Sequence, residues 1–328
     1  MSWLNVSRPM VILAPMDGYT DPPFRRFIKH IEPRAVVFSE FLSAALAAGK
    51  PSLAPTMFRV YDDERPVVIQ LYGKDPDHFC TAARLAEEQG AAGIDINMGC
   101  PAKKVVAHRH GSALMREIDL ACDIIRSVKA AVSVPVTVKT RLGWENDRNL
   151  IPFALRLQDC GLDAITIHGR TYSQKFDGEA DWLPIYALKD ALSIPVFGNG
   201  DLVTAEQAQA KLGNLDGVMI GRGAVSDPWL LQRVCDGFAG NVGAARRMLP
   251  FSHKVKAWKR FAQMAVATNP KSERHACQAF RKFLVRLHKD LGLSPEVRRP
   301  AVQVATLEDI ERVLDLFLDA SQELSSVV

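Results

Sequence analysis

IPVFGNGDLVTAEQAQAKLGNLDGVMIGRG, residues 194–223, reads as one repeat of a parallel α/β fold. Ile194 to Gly198 and Gly217 to Ile220 are short apolar runs, nearly continuous in hydrophobicity, as strands buried on both faces must be. Between them Thr204 to Leu212 carries helical periodicity. Thr204 is placed to cap its start with acidic support behind it, and Gly213 stands just past its end, where a left-handed residue is wanted. Strand, helix and second strand in this order form a βα unit of a parallel sheet.

Outward from this unit the same alternation fills most of the chain. Val11 to Ala14, Ala35 to Ser39, Val67 to Leu71, Gly93 to Asn97, Val134 to Lys139 and Ala164 to His168 are the earlier strand candidates. Asp77 to Gln89, Asp119 to Ala131, Asn149 to Cys160 and Pro228 to Cys235 read as helices, with Gly90 and Gly161 just past two of their ends. Eight parallel strands predict closure into a (β/α)₈ TIM barrel, which takes roughly 250 residues. The chain has 328. After Gly240 the strand signals stop, and residues 246–268, 274–291 and 307–324 read as three helices separated by Asn269-Pro270 and by the Pro295 to Pro300 stretch. A barrel over residues 1–240 and a C-terminal α-helical domain over 241–328 are therefore expected.

Composition narrows the class. With 48% apolar and 24% charged residues the chain can bury a full core, which excludes disorder. No apolar run is long enough to span a bilayer, and Met1 to Pro9 lacks the basic-then-apolar layout of a signal peptide, so a cytoplasmic protein with no membrane partner is expected. Charge is unevenly spread. Residues 1–240 hold 26 Lys and Arg against 28 Asp and Glu, whereas residues 241–328 hold 15 against 9. From Arg246 to Arg299 there are 14 basic residues against only Glu273, Asp290 and Glu296, the footprint of a surface that meets phosphates.

In a parallel barrel the working side chains gather at the C-terminal ends of the strands. Those ends read Ala14-Pro15-Met16-Asp17-Gly18, Ser39-Glu40, Gln70, Asn97, Lys139 with Arg141, His168 with Arg170, Asn199-Gly200-Asp201 and Gly221-Arg222-Gly223. The last two place small residues and backbone amides where barrels commonly hold a phosphate, with Arg222 adding charge; otherwise the glycines mark tight turns only. Lys139 ends an apolar run and would aim its ammonium into the barrel mouth, where it needs an anionic partner. A reduced flavin, negative near N1 and O2, would supply one, and a rim salt bridge is the alternative. Gln70 offers a donor and an acceptor to such a ring. His168 and Arg170 alternate along the strand exit and face one side, although a lone histidine there would be structural.

The six cysteines, Cys80, Cys100, Cys122, Cys160, Cys235 and Cys277, show neither a disulfide framework nor metal-ligand spacing, so no metal is expected. Cys80, Cys122 and Cys160 fall in helical stretches as small buried thiols. Cys100 differs, lying between Gly99 and Pro101 in the loop after the fourth strand. A thiol with a reference pKa of roughly 8.5 is mostly protonated near neutrality and suits a general acid in a reduction. A nucleophilic role would need an adjacent base, and no Cys-His-Asn signature is visible.

Taken together, APMDGYTD (residues 14–21), DINMGCP (95–101), VKTRLGW (138–144), IHGRT (167–171), Asn199-Gly200-Asp201 and Ile220-Gly221-Arg222-Gly223 closely resemble the tRNA-dihydrouridine synthases, and NMGCPAKKV (97–105) resembles their bacterial B-type branch. The resemblance implies FMN as cofactor, NADPH as reductant and tRNA as substrate. It makes Pro15, Met16 and Asp17 the backbone platform for FMN, and Gln70, Lys139 and His168 its ring neighbours. Asn199, Gly200, Asp201, Gly221 and Arg222 would hold its phosphate. Cys100 becomes the proton donor, Asn97, Arg141 and Arg170 substrate contacts, and Arg281 and Lys282 a basic pair for RNA in the helical domain. One departure is the histidine-rich His108-Arg109-His110 after Cys100, which would touch RNA or simply face solvent. Tyr19, Tyr72 and Trp144 are candidates to pack against an unstacked base. Two rivals stay open: a small-molecule flavin oxidoreductase of the dihydroorotate-dehydrogenase kind, which has no need of a basic tail, and an RNA-binding module on a barrel without chemistry.

Overall fold

All eight strands form in the computed structural model, which describes residues 2–326. They are β1 Met10–Leu13, β2 Val36–Ser43, β3 Val67–Tyr72, β4 Gly93–Asn97, β5 Val136–Arg141, β6 Ala164–His168, β7 Val196–Asn199 and β8 Gly217–Ile220. Each pairs in parallel with the next, and β8 returns to β1 through Met10↔Gly217 to Leu13↔Ile220, closing the predicted barrel. Closure depends on Gly217. A Cβ there would lie 2.3 Å from the Met10 carbonyl oxygen, so no larger residue lets the two strands meet. β2 runs four residues past its apolar stretch because its register with β3 shifts between Phe38 and Phe41, a bulge that carries Glu40 and Phe41 to the rim.

Strand residues alternate between two buried layers. Ile12, Phe38, Val68, Phe197 and Met219 fill the barrel interior, with Trp3 packed edge-on against Phe38 and tilted against Phe197. Their neighbours Val11, Leu13, Val37, Val67 and Ile69 face the surrounding helices. Thr204 caps the Ala205–Leu212 helix as expected, but its partner in a full capping box is Gln207 rather than an acidic residue. Cys122 and Cys160 are buried as expected, whereas Cys80 is only half-buried.

Beyond β8 the described residues contain helices only. Val242–Ala245, Phe251–Thr268, Glu273–Asp290, Pro295–Ala301 and Leu307–Ser326 follow one another. The helix expected from residue 246 starts at Phe251 because the extended Pro250 takes its N-cap position. The Pro295 to Pro300 stretch, read as a separator, is itself helical, since Pro295 occupies the first turn, where a missing N–H costs nothing.

The helices do not hang from a linker. Phe27 of the Pro22–Ile31 helix stacks on Phe261 with centroids 4.7 Å apart and an interplanar angle of 5°, and Phe24 stacks on Phe283 at 5.3 Å. Trp258 lies 5.1 Å from Phe27, so barrel and helices share one aromatic core. Truncating a fully buried phenylalanine costs about 3–5 kcal/mol. Phe261→Ala should lower unfolding stability by that amount and leave one urea transition by both far-UV circular dichroism and tryptophan fluorescence. Two separated transitions in wild type would instead mean independent cores.

Candidate active site

A cavity of about 780 Å³ opens at the C-terminal ends of the strands. Pro15, Met16, Asp17, Gln70, Asn97, Cys100, Lys139, Arg141, His168, Asn199, Gly200, Asp201, Gly221 and Arg222 all line it, so the strand-end reading converges on one site. Arg170, Arg281 and Lys282 do not.

Beneath the mouth lies a group that sequence reasoning missed. Asp95, fully buried in β4, accepts hydrogen bonds from Thr137 Oγ1 at 2.6 Å and Gln70 Nε2 at 2.6 Å. Burial pushes its pKa up to about 6, against these bonds and the charge of Lys139. Its only sequence signal was a carboxylate inside the apolar run Gly93 to Asn97. Gln70, which lines the cavity, is held between Asp95 and Asn97, whose Nδ2 donates to Gln70 Oε1 at 2.8 Å. The Asn97 Oδ1 in turn accepts the amides of Gly99 at 3.1 Å and Cys100 at 2.9 Å. The cysteine loop is thus folded onto a side-chain chain that starts inside the barrel.

Cys100 is half-buried, and burial raises its pKa above the ordinary thiol range, outweighing a backbone hydrogen bond at Ala102 and the charge of Arg141. Arg141 reaches Gly99 O through Nε at 2.7 Å, and Thr171 O and Lys175 O through Nη1 at 3.0 and 2.7 Å. It therefore ties the cysteine loop to the loop after β6. Lys139 differs: among the described residues its ammonium has no hydrogen-bond or ion-pair partner. Burial first, then the charge of Arg141, lowers its pKa to about 8. The rim salt bridge is not formed. His168 is neutral, its pKa lowered to about 2 by burial and then by Lys139, Arg141, Arg170 and Arg222.

The anion cradle has a rear support. Arg170 is 2% exposed and does not line the cavity, but bonds to residues that do. It grips Asp201 at 2.9 and 2.6 Å and the carbonyls of Gly178 and Asp177 at 2.6 and 3.2 Å. Asp201, expected to hold phosphate, is a carboxylate that also accepts from Arg222 at 2.9 Å. Burial acts to raise its pKa, but the bonds from Arg170 and the Ala180 amide, with the Arg222 charge, hold it below the usual carboxylate range. Asp201 thus lines the cavity and also fixes the direction of Arg222. At Gly200 a Cβ would lie 2.5 Å from that of Ala180, so the cradle wall admits only glycine there.

The helical pair is placed differently from expectation. Arg281 donates to Val304 O at 3.1 and 2.7 Å, holding the helices together. Lys282 donates to Gly18 O of the β1 loop and lies 4.9 Å from the centre of the Tyr19 ring. Two lining residues carried no usable sequence signal. Phe176, 57% exposed, sits in a polar loop with Arg141 at 5.5 Å and Arg222 at 5.7 Å from its ring centre. Arg286 comes from the Glu273–Asp290 helix. Tyr19 lines the cavity; Trp144 instead stacks on Tyr172 at 3.8 Å, and Tyr72 packs against Phe41 and His110.

A thiol with a raised pKa, an ammonium without a partner among the described residues and a glycine-walled cradle meet at one barrel mouth, an arrangement that suits an enzyme binding an anionic ligand beside a proton donor. The family model Dihydrouridine synthase (Dus) matches residues 12–323. A protein of Synechocystis sp. (strain ATCC 27184 / PCC 6803 / Kazusa) named probable tRNA-dihydrouridine synthase 1 is 37% identical over 93% of this chain and 85% of its own. The tRNA-dihydrouridine synthase B of Pasteurella multocida (strain Pm70) is 43% identical over 68% of each chain. Histamine dehydrogenase from Rhizobium sp. 4-9 shares the fold at 13% identity and a TM-score of 0.56; the match covers 98% of this chain and 65% of that one. The chain belongs to the dihydrouridine synthase family.

Asn97→Ala removes the acceptor of two loop amides, a loss worth about 1 kcal/mol or somewhat more. Amide exchange at Gly99 and Cys100 should quicken about fivefold or more, while exchange in β7 and β8 stays unchanged. Unaltered protection at both loop amides would refute the strut.

Proposed function

We propose that the chain reduces the C5–C6 bond of uridine in tRNA, with FMN as cofactor, NADPH as its reductant and Cys100 as proton donor. The observation that carries this reading is Lys139, a half-buried residue whose enclosed ammonium has no partner among the described residues, in the same cavity as a thiol with a raised pKa. The names of the Synechocystis and Pasteurella relatives support the substrate.

The residues present fit FMN. The cavity volume lies within the range of cofactor sites. Lys139 would meet the anionic edge of the flavin ring, and the backbone of Pro15, Met16 and Asp17 would support its plane. Asn199, Gly200, Gly221 and Arg222 would hold the phosphate, helped by the amides of Arg222 and Gly223 in the first turn of Arg222–Ser226, positions without intrahelical acceptors. When bound, FMN supplies the hydride that uracil C6 receives and is reloaded by NADPH.

The protein's own part is positioning and one proton. Cys100 Sγ gives its proton to C5, and its raised pKa keeps that proton available at neutrality. Asn97 and Arg141 fix the loop that presents the thiol, in addition to any contact with the base. His168, neutral, donates or accepts a hydrogen bond without adding charge. Arg170 acts through Asp201 on Arg222. Residues 241–328, with their basic excess, hold the RNA, a role the small-molecule reductase reading leaves without purpose.

Cys100→Ala should retain flavin absorbance but lose roughly 10²–10⁴-fold in turnover on tRNA. Wild-type turnover should hold through neutrality and fall only at a pH above the ordinary thiol range, because burial displaces the loss of the Cys100 proton upward. An unimpaired alanine variant would end the assignment.

Lys139 loses its charge as pH rises through about 8. Flavin affinity of the apo-protein should therefore weaken above that pH in wild type. In Lys139→Met it should be weaker throughout and insensitive to pH across this range. Equal affinity and equal pH dependence in the two proteins would make Lys139 structural.

A further inference from the structure

The Glu273–Asp290 helix places two cations one turn apart, and each reaches a different barrel loop. Lys282 donates to Gly18 O after β1, and Arg286 donates through Nη2 to Ser226 Oγ after β8. β1 and β8 are the pair that closes the barrel, so one helix face spans the closing seam. Ser226 ends the short turn begun by Arg222 and donates to the Arg222 carbonyl at 3.1 Å. Arg286 is thereby joined through one hydroxyl to the turn that forms the anion cradle.

We infer that Arg286 is a cofactor-phosphate ligand contributed by the helical unit, completing with Arg222 a cradle that the barrel alone leaves open on one side. This rests on the flavin reading above. Three observations support it. Arg286 lines the same cavity as Gly221, Arg222 and Gly223. Its Nε is held by Asp290 at 3.1 Å and its Nη2 by Ser226, which fix the plane of the guanidinium, while among the described residues no hydrogen bond ties Nη1. A guanidinium fixed on one edge and open on another is suited to a phosphate oxygen. Around the cradle three arginines, Arg170, Arg222 and Arg286, face two carboxylates, Asp201 and Asp290, so the set keeps a net positive charge for a phosphate and Arg286 is needed for that excess.

The alternative source of the same chemistry is a phosphate of the RNA backbone, and the test separates the two. Apo-forms of the full chain, wild type, Arg286→Ala and Arg286→Lys, are titrated with FMN and with riboflavin, which lacks the phosphate, by quenching of flavin fluorescence. Arg286 is about half exposed, with 46% of its side chain accessible, and circular dichroism melting checks that both variants remain folded. Arg286→Ala should weaken FMN binding by about tenfold or more and riboflavin by less than about twofold, since only a charge-assisted phosphate bond is lost. Arg286→Lys should recover part of the FMN affinity. Equal losses for both flavins, or no loss for FMN, would overturn the inference. Intact FMN binding with weakened tRNA binding by the holo-protein would overturn it in favour of RNA phosphate. A wild-type chain that binds neither flavin would overturn the flavin reading itself.

Discussion

A carboxylate placed inside an apolar barrel is unfavourable unless its oxygens are fully engaged, and Asp95 governs this mouth for that reason. Thr137 and Gln70 supply the two short bonds it requires. Because Gln70 is committed downward to Asp95, its amide oxygen is free to fix Asn97, and Asn97 is then oriented to receive the backbone of Gly99 and Cys100. Register does the rest. Asp95 pairs with Thr137 and Asn97 with Lys139, so the lone ammonium emerges one pleat above the buried carboxylate. The thiol loop is held by bonds that start at Asp95, and the cation by the register of the strand beside it.

Much of this was legible in the sequence because a parallel barrel turns chain position into spatial position. Once eight apolar runs were found, the residue at each C-terminal end had to face the mouth, and Lys139, His168, Asn199 and Gly221 do. What the strand ends did not disclose is which polar groups face a ligand and which face one another. Gln70 and Asp201 line the cavity but also bond to neighbours, and Arg170, which does not line it, bonds to Asp201, through contacts between residues 25 to 31 positions apart. Such pairings depend on side-chain direction across neighbouring strands, which no local pattern encodes. Asp95 was passed over because one acid inside a hydrophobic run gives no hint of its partners. Phe176 sits in a loop without periodicity, and Arg286 is one basic residue among many on its helix until the helix is docked.

The charge division between residues 1–240 and 241–328 suggested two bodies with separate duties. The packing is more economical in material: Phe24 and Phe27 from the barrel side interleave with Trp258, Phe261 and Phe283 from the helices. Stability of the site and placement of the basic surface therefore rest on the same side chains. Substitutions in this aromatic layer should be read with that double dependence in view, because loss of grip on a large ligand and loss of the fold would appear together.

The stacked pair Phe27 and Phe261 has one more consequence. A shared core with these ring planes only 5° apart packs the helices that carry the cationic face directly on the barrel that carries Cys100. On the proposed reading, a polymer seated on that face would be registered against the thiol by the packing of the helices, so altering which position arrives there would call for re-seating the helices as well as reshaping the pocket.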